Sequence, residues 1–318
     1  MTVIGSRNQG ADVTGGNGNG SSGGGGAGPA TEDFLTHRNL LFTVAYEMLG
    51  SAADAEDVLQ ETWLRWAAVD LAEVRDRRAY LVRITTRQAL TRLRTLGRRK
   101  ESYVGSWLPE PLLTSPDVAE DVELADSVSM AMMLVMETLA PTERAVFVLR
   151  EVFDVGYDEI AEAVGKSPSA VRQIAHRARA NVAARRPRGA GSPERTRDAL
   201  EAFRRAVETG DLQGLLDVLA PDVVLLGDGG GIKRAVLRPV VGADKVARLL
   251  RGGLRKVPAE VTLRPALVNG GPALVLHLDG ELDSVLAVRV DDGLVTGLYA
   301  VRNPEKLAHM DRETVLRR

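Results

Sequence analysis

From Tyr157 the chain reads Tyr157-Asp158-Glu159-Ile160-Ala161-Glu162-Ala163-Val164-Gly165-Lys166-Ser167-Pro168-Ser169-Ala170-Val171-Arg172-Gln173-Ile174-Ala175-His176-Arg177-Ala178. Tyr157, Ile160, Ala161 and Val164 fall on one side of a short helix, and Gly165-Lys166-Ser167 turns the chain. Ser167 is a good N-cap, and Pro168 suits the first helical position, where its missing N–H would be unpaired anyway. In the second helix Val171, Ile174, Ala175, Ala178 and Val182 form the buried stripe. Ser169, Arg172, Gln173 and His176 lie opposite, with Arg177 and Arg179 flanking. Two short helices around a glycine turn, the second rich in hydrogen-bonding side chains, describe a helix-turn-helix. An ordinary helical hairpin would carry acids on that outer face as well, and this face has none. The expected ligand is DNA.

The total charge hides a segregation. The 318 residues carry 41 basic and 43 acidic side chains, a net charge of −2. From Arg75 to Lys100, however, ten cations are opposed only by Asp76, and from Lys166 to Arg188 there is no acid at all. Glu110, Asp117, Glu120, Asp121, Glu123 and Asp126 lie between these islands. Two basic islands with an acidic connector predict two polyanion-binding surfaces. A neutral total predicts weak DNA binding by the chain alone, because phosphate neutralisation supplies most non-specific affinity.

Upstream, residues 31–100 read as helices. Leu40, Leu41, Val44, Ala45 and Met48 recur at helical spacing up to Gly50. Ser51 caps a second helix with Ala55, Val58, Leu59, Thr62, Trp63 and Trp66 on its apolar face, and Asp54, Glu56, Asp57, Gln60 and Glu61 on the other. In a third helix Ala79, Val82, Thr86, Ala89, Leu93 and Leu96 form the buried stripe, while Arg83, Arg87, Arg94 and Arg98 form a separate arginine stripe. A solvated cationic face is the plain reading, but solvated faces usually mix signs, and nucleic acid explains this one better. Residues 101–120 contain Trp107-Leu108-Pro109-Glu110-Pro111-Leu112, where two prolines preclude regular helix and predict an extended linker. Apolar residues there are out of place unless they dock.

Residues 1–30 are rich in Gly, Ser and Asn and read as a disordered tail. Residues 189–193 read as a linker. Residues 194–318 change character: helices over 194–209, near 211–219 and over 243–253, and strands at 222–227, 235–241, 259–268, 272–279, 284–290 and 294–301. Asp291-Asp292-Gly293 is a hairpin signal, and Asn303-Pro304-Glu305 is expected to start a last short helix. The expected fold is therefore two all-α units (31–100 and 121–188) followed by an α+β domain.

The chain has no cysteine and four scattered histidines, so no metal site and no cofactor is expected. No apolar run approaches the ~20 residues of a membrane span. With no apolar h-region at the N-terminus, a cytoplasmic protein is expected.

The first two units together resemble the extracytoplasmic-function group of bacterial sigma-70 factors. Asp54-Ala55-Glu56-Asp57-Val58-Leu59-Gln60-Glu61-Thr62-Trp63-Leu64-Arg65 looks like region 2.2. The resemblance implies that Asp54, Asp57, Gln60 and Glu61 bind the β′ clamp helices of core RNA polymerase. Arg78-Ala79-Tyr80-Leu81-Val82-Arg83-Ile84 with Arg92-Leu93-Arg94 looks like regions 2.3 and 2.4, which melt and read the minus-ten element; Arg75, Tyr80, Arg83, Arg87, Arg94 and Arg98 are the candidates. Pro141-Thr142-Glu143-Arg144-Ala145-Val146-Phe147 and the helix-turn-helix look like region 4. That implies reading of the minus-thirty-five element by Ser169, Arg172, Gln173, His176 and Arg177.

Trp107 to Leu112, Asp228-Gly229-Gly230-Gly231 and Asn303-Pro304-Glu305-Lys306-Leu307 are similar to three signatures of the sigma factors with a SnoaL-like extension. That implies a SnoaL-like, nuclear transport factor 2-like cone acting as an internal regulator. One departure stands out: the family usually places Lys straight after the triple glycine, and here Ile232 takes that place with Lys233 following. Trp107, Leu108 and Leu112 are expected to dock near Asp228, Gly229, Gly230 and Gly231, or near Asn303 and Leu307. For the extension itself, catalysis by His277, Asp279, Glu281 or Asp283, a ligand-sensing pocket, and a protein-contact role stay open. The competing function is a DNA-binding module fused to a small-molecule sensor or enzyme.

Overall fold

The computed structural model describes residues 28–115, 117–118, 121–185, 193–254 and 257–318. The tail expected over residues 1–30 falls outside them up to residue 27, and the linker expected at 189–193 falls outside except for Pro193. Three helices open the fold: α1 (Pro29–Leu49), α2 (Ala52–Trp66) and α3 (Arg77–Glu101). The Ser51 hydroxyl accepts the Asp54 N–H at 3.1 Å and the Asp76 carboxylate accepts the Ala79 N–H at 2.9 Å, so α2 and α3 each start on a capping side chain. Every residue from Leu41 to Gly50 is buried. A helix buried on all sides needs neighbours on all sides.

The second neighbour is the next helical unit: α4 (Val122–Val128), α5 (Met130–Met136), α6 (Pro141–Phe147) with a π-helical turn Val148–Val152, α7 (Tyr157–Val164) and α8 (Pro168–Arg185). One apolar core runs through both units, from Phe34, Leu41 and Tyr46 to Met133, Val146, Ile160 and Val171.

The C-terminal unit contains α9 (Pro193–Thr209), α10 (Leu212–Val218), β1 (Leu219–Asp228), β2 (Val240–Val241), α11 (Ala243–Leu254), β3 (Val261–Val268), β4 (Gly271–Leu278), β5 (Glu281–Asp291) and β6 (Leu294–Val301). The sheet order is β2-β1-β6-β5-β4-β3, with β1 and β6 parallel and the other pairs antiparallel. Helices packed on one face of a mostly antiparallel sheet make this an α+β unit. Val223, Leu225, Leu274, Val288 and Leu298 meet Phe203, Leu215 and Val246 of the helices. The opposite face, with Ala273, Val285, Ala287, Tyr299 and Val301, is covered by Leu108 of the linker and by Met130 and Ala131 of α5. The sheet is thus closed on both faces within one chain.

Two expectations need correction. Strand β2 covers only Val240–Val241 of the expected 235–241, and Pro239 just before it has no N–H to give a ladder. No helix starts at Asn303; its Oδ1 accepts the Glu305 N–H at 3.0 Å, and successive turns carry the chain onward. The linker is extended, and its apolar residues dock as their sequence context requires. Residues 108–112 are all buried.

Candidate nucleic-acid interface and interdomain junction

On α8 the apolar stripe Val171, Ile174, Ala175, Ala178 and Val182 is buried, and Ser169, Arg172, Gln173, His176 and Arg177 are all exposed on the open side. Gly165 ends α7 at φ 67°, and the Ser167 hydroxyl accepts the Ala170 N–H at 3.3 Å. Arg172 lies over the Tyr157 ring at 5.6 Å, while the Gln173 amide projects from the same open side. Arg179 is drawn down to Glu151 at 2.8 Å and to the Tyr157 hydroxyl at 2.8 Å. What remains open is a cationic and amide face suited to base edges.

The arginine stripe of α3 is not open throughout. Arg75 and Arg94 are exposed. Arg83 pairs with Glu162 of α7 at 2.8 Å, and Arg87 donates to the Glu162 carbonyl at 2.7 Å. Arg83 also sits 4.7 Å from the centre of the half-buried Tyr80 ring, which leans on Trp66. The Arg98 side chain lies outside the described residues. The first helix of the helix-turn-helix therefore covers part of the stripe.

On α2, Asp57, Gln60 and Glu61 are exposed, and Leu64 stands beside them at 70% exposure. Asp54 is corrected out of that open face. It is 5% exposed, and its carboxylate is held by Arg92 at 2.5 Å. Arg92 also reaches Asp57 at 2.8 Å, so one cation of the basic segment balances two acids of α2.

The three signatures meet at a junction. Leu108 and Leu112 are fully buried, and Trp107 is half-buried. The buried Asp228 carboxylate accepts the Tyr103 hydroxyl at 2.5 Å and the Leu108 N–H at 2.9 Å, and pairs with Lys306 at 2.7 Å. Lys306 donates to the Leu108 carbonyl at 2.5 Å and lies 3.4 Å from the centre of the Trp107 ring. Burial pulls its ammonium below the usual lysine range, against the opposing pull of Asp228. Asn303 donates to the Tyr103 hydroxyl at 2.9 Å.

The glycines are there for space. A Cβ on Gly229 would lie 2.0 Å from the Lys233 carbonyl oxygen, and one on Gly230 (φ 63°) would lie 2.4 Å from Asn303 Nδ2. Leu307, 6% exposed, packs in the same cluster as Leu108. Ile232 is exposed, and Lys233 turns inward to Asp283 at 3.0 Å, where Arg302 also pairs at 3.0 Å. Burial alone would raise the Asp283 carboxyl, but the bonds from Arg302 and Lys233 hold it below the usual range.

Several residues of this junction escaped the sequence reading. Glu110, the one charge in Trp107 to Leu112, is 7% exposed; its carboxylate accepts the Ser51 hydroxyl and the Ala52 N–H at 2.7 Å each, at the start of α2. Asn269 joins three parts of the chain, and a strand–Asn-Gly–strand pattern was its available signal. Tyr103 and Lys306 gave no signal of their own. Of the candidate acid/base group, Asp279 sits in the β4–β5 turn at φ 49°, with its carboxylate taken by the Glu260 N–H at 2.9 Å. By strand alternation His277 points with Ala273 and Val275, away from the helix-covered face. Among the described residues His277, Asp279, Glu281 and Asp283 do not hydrogen-bond to one another. Among the described residues no three metal-ligating side chains cluster, and no helix is long and apolar enough to cross a membrane.

A helix-turn-helix with an acid-free face, joined to a three-helix unit with an arginine stripe, defines a promoter-recognition factor of the sigma-70 type. Residues 34–99 match the sigma-70 region 2 family and residues 129–182 match sigma-70 region 4. The chain is 36% identical over 287 residues to the ECF RNA polymerase sigma factor SigJ of Mycobacterium tuberculosis, covering 86% of this chain and 92% of that one. It is 32% identical to a probable ECF RNA polymerase sigma factor SigI of the same species, covering 88% and 95%. Its fold superimposes on the crystal structure of Mycobacterium tuberculosis SigJ with a TM-score of 0.70 at 33% identity, covering 88% of this chain and 98% of that one. The chain belongs to the extracytoplasmic-function sigma factors of RNA polymerase. Its partners are core RNA polymerase and promoter DNA.

Proposed function

We propose that this sigma factor binds the β′ clamp helices of core polymerase through the α2 face carrying Asp57, Gln60 and Glu61. It contacts the minus-ten element through α3 and the minus-thirty-five element through α8, in the cytoplasm. The C-terminal unit is a regulator and carries no catalytic step. In the free chain it keeps region 2 and region 4 folded together, with part of the minus-ten surface covered.

The observation that carries this reading is the engagement of Arg83 and Arg87 by Glu162 of α7. A strand backbone and that helix compete for the same guanidinium groups. Core polymerase, which needs the two units apart to span two promoter elements, shifts the population toward the open form. Charge reversal of Asp57 and Glu61 together should abolish co-purification with core polymerase while circular dichroism stays unchanged. Normal holoenzyme assembly by the double variant would remove the α2 assignment.

A further inference from the structure

Besides the sheet face packed on Met130 and Ala131 of α5, the C-terminal unit meets the rest of the chain along two edges of different chemistry. At the first, Asp228, Asn303 and Lys306 grip Tyr103 at the end of α3 and Leu108 in the linker. This edge is built on a buried ion pair, and parting it would leave an uncompensated buried charge.

The second edge is the β3–β4 hairpin tip together with residues 314–318. Asn269 has φ 54° and Gly270 has φ 67°, the two left-handed positions of a tight hairpin turn. The Asn269 Oδ1 accepts the Leu112 N–H at 2.9 Å. Its Nδ2 donates to the Tyr46 hydroxyl of α1 at 2.6 Å and to the Val128 carbonyl of α4 at 3.0 Å. A Cβ on Gly270 would lie 2.7 Å from the Ala125 Cα, so the tip is seated against the backbone of α4. Alongside it, the Thr314 N–H donates to the Leu113 carbonyl at 2.7 Å and the Arg317 N–H to the Thr43 hydroxyl at 3.0 Å. Leu316, 4% exposed, enters the core shared by the two helical units, and Arg318 pairs with Asp121 at 2.8 Å. Unlike the first edge, this one touches both α1 and α4. It is held by hydrogen bonds between uncharged groups, one apolar side chain and a partly exposed ion pair, so parting it strands no buried charge.

The geometry points to a division of labour: the Asp228–Lys306 edge anchors the C-terminal unit to the linker, and the Asn269 tip with Leu316 is the latch that closes region 4 onto region 2. Opening releases the helix-turn-helix unit at the latch while the C-terminal unit stays on its anchor. This rests on the proposed regulatory role and names the contacts that perform it.

Since the chain has no cysteine, pairs introduced at exposed positions can be labelled without background. Ala72→Cys with Ala183→Cys reports the distance from region 2 to region 4, and Ala72→Cys with Asp217→Cys reports that from region 2 to the C-terminal unit. Single-molecule energy transfer is read on the full chain. Asn269→Gly keeps the left-handed backbone and deletes only the side-chain bonds; it is combined with Leu316→Ala. The expected result is a shift of the first pair to low transfer in most molecules, with the second pair unmoved. Asn303→Ala at the anchor should do the reverse. An unmoved first pair in the latch variant, or both pairs moving together, overturns the division. Circular dichroism checks folding, and Leu316→Ala alone, expected to give a partial shift, serves if the double variant unfolds. Promoter-DNA binding is measured on the same variants. An opened first pair with unchanged DNA binding would uphold the latch and remove instead the reading that closure hides the minus-ten surface.

Discussion

Asp228 shows how much one side chain carries when its partners are buried with it. It is fully buried, and Tyr103, Leu108 and Lys306 all direct donors at it. Asp228→Ala strands a buried ammonium and should cost about 3–5 kcal/mol in urea denaturation. Gly230→Ala, which forces a Cβ onto Asn303 at an unfavourable φ, should also destabilise, by about 1–3 kcal/mol. On the DNA side, Gln173→Ala or Arg172→Ala should remove about 1–3 kcal/mol of discrimination between upstream elements. Arg185→Ala, at the far end of α8, should weaken all sequences evenly; three equal, sequence-blind losses in competition binding would remove the readout assignment. The recognition face was legible because helical spacing alone fixes which side of α8 is open. Asp54 was misread because its partner Arg92 is 38 residues away, and nothing local marks a helix–helix ion pair. Asn-Gly between two strands marks a turn at Asn269, but nothing local marks its bond to Tyr46, 223 residues earlier.

At the scale of elements, local rules performed well where the physics is local. The turns Asp279-Gly280 and Asp292-Gly293 take positive φ at both positions, as Asp-Gly pairs favour between antiparallel strands. They failed where tertiary packing decides, as at Asn303, whose side chain is spent on Tyr103 and a turn instead of a helix. Helix α1 carries a testable consequence of being enclosed by two units. Glu47 is fully buried beside Ser127 and Arg144, with Glu137 and Lys100 clustered around the same arginine and Tyr46 and Glu110 nearby. Burial pushes its carboxyl up to about 8, against the lowering effects of Ser127 and Arg144. The folded chain therefore holds this proton more tightly than the unfolded one. The stabilisation is full below the ordinary carboxylate range and is lost as pH rises through about 8. Burial lowers the Lys100 ammonium and acts with the opposite sign, so the comparison must be made against Glu47→Gln. The wild-type thermal midpoint should fall more between pH 6 and pH 9, roughly the window of this titration, than that of Glu47→Gln. Parallel pH profiles would remove Glu47 as the source.

Across the whole molecule, the closed arrangement makes an electrostatic statement about the free chain. Arg83 and Arg87 are engaged by α7, whereas Arg94 is exposed. If closure hides the minus-ten surface, the two groups should respond differently to opening. In the wild-type chain without polymerase, Arg94→Ala should weaken binding of a single-stranded minus-ten oligonucleotide, while Arg83→Ala and Arg87→Ala should change it little. In the combined Asn269→Gly and Leu316→Ala background all three should matter. Each phosphate contact on a single strand contributes about 0.7 to the slope of log affinity against log salt. Freeing two arginines should therefore steepen that slope by roughly 1.4 between the closed and opened chains, provided each meets one phosphate. A fluorescence-anisotropy titration at several salt concentrations measures it directly. Equal slopes in the two backgrounds, or an Arg83→Ala effect already complete in the wild type, would mean that α7 does not compete with the strand. Regulation would then have to act on the spacing of the two DNA-binding units alone.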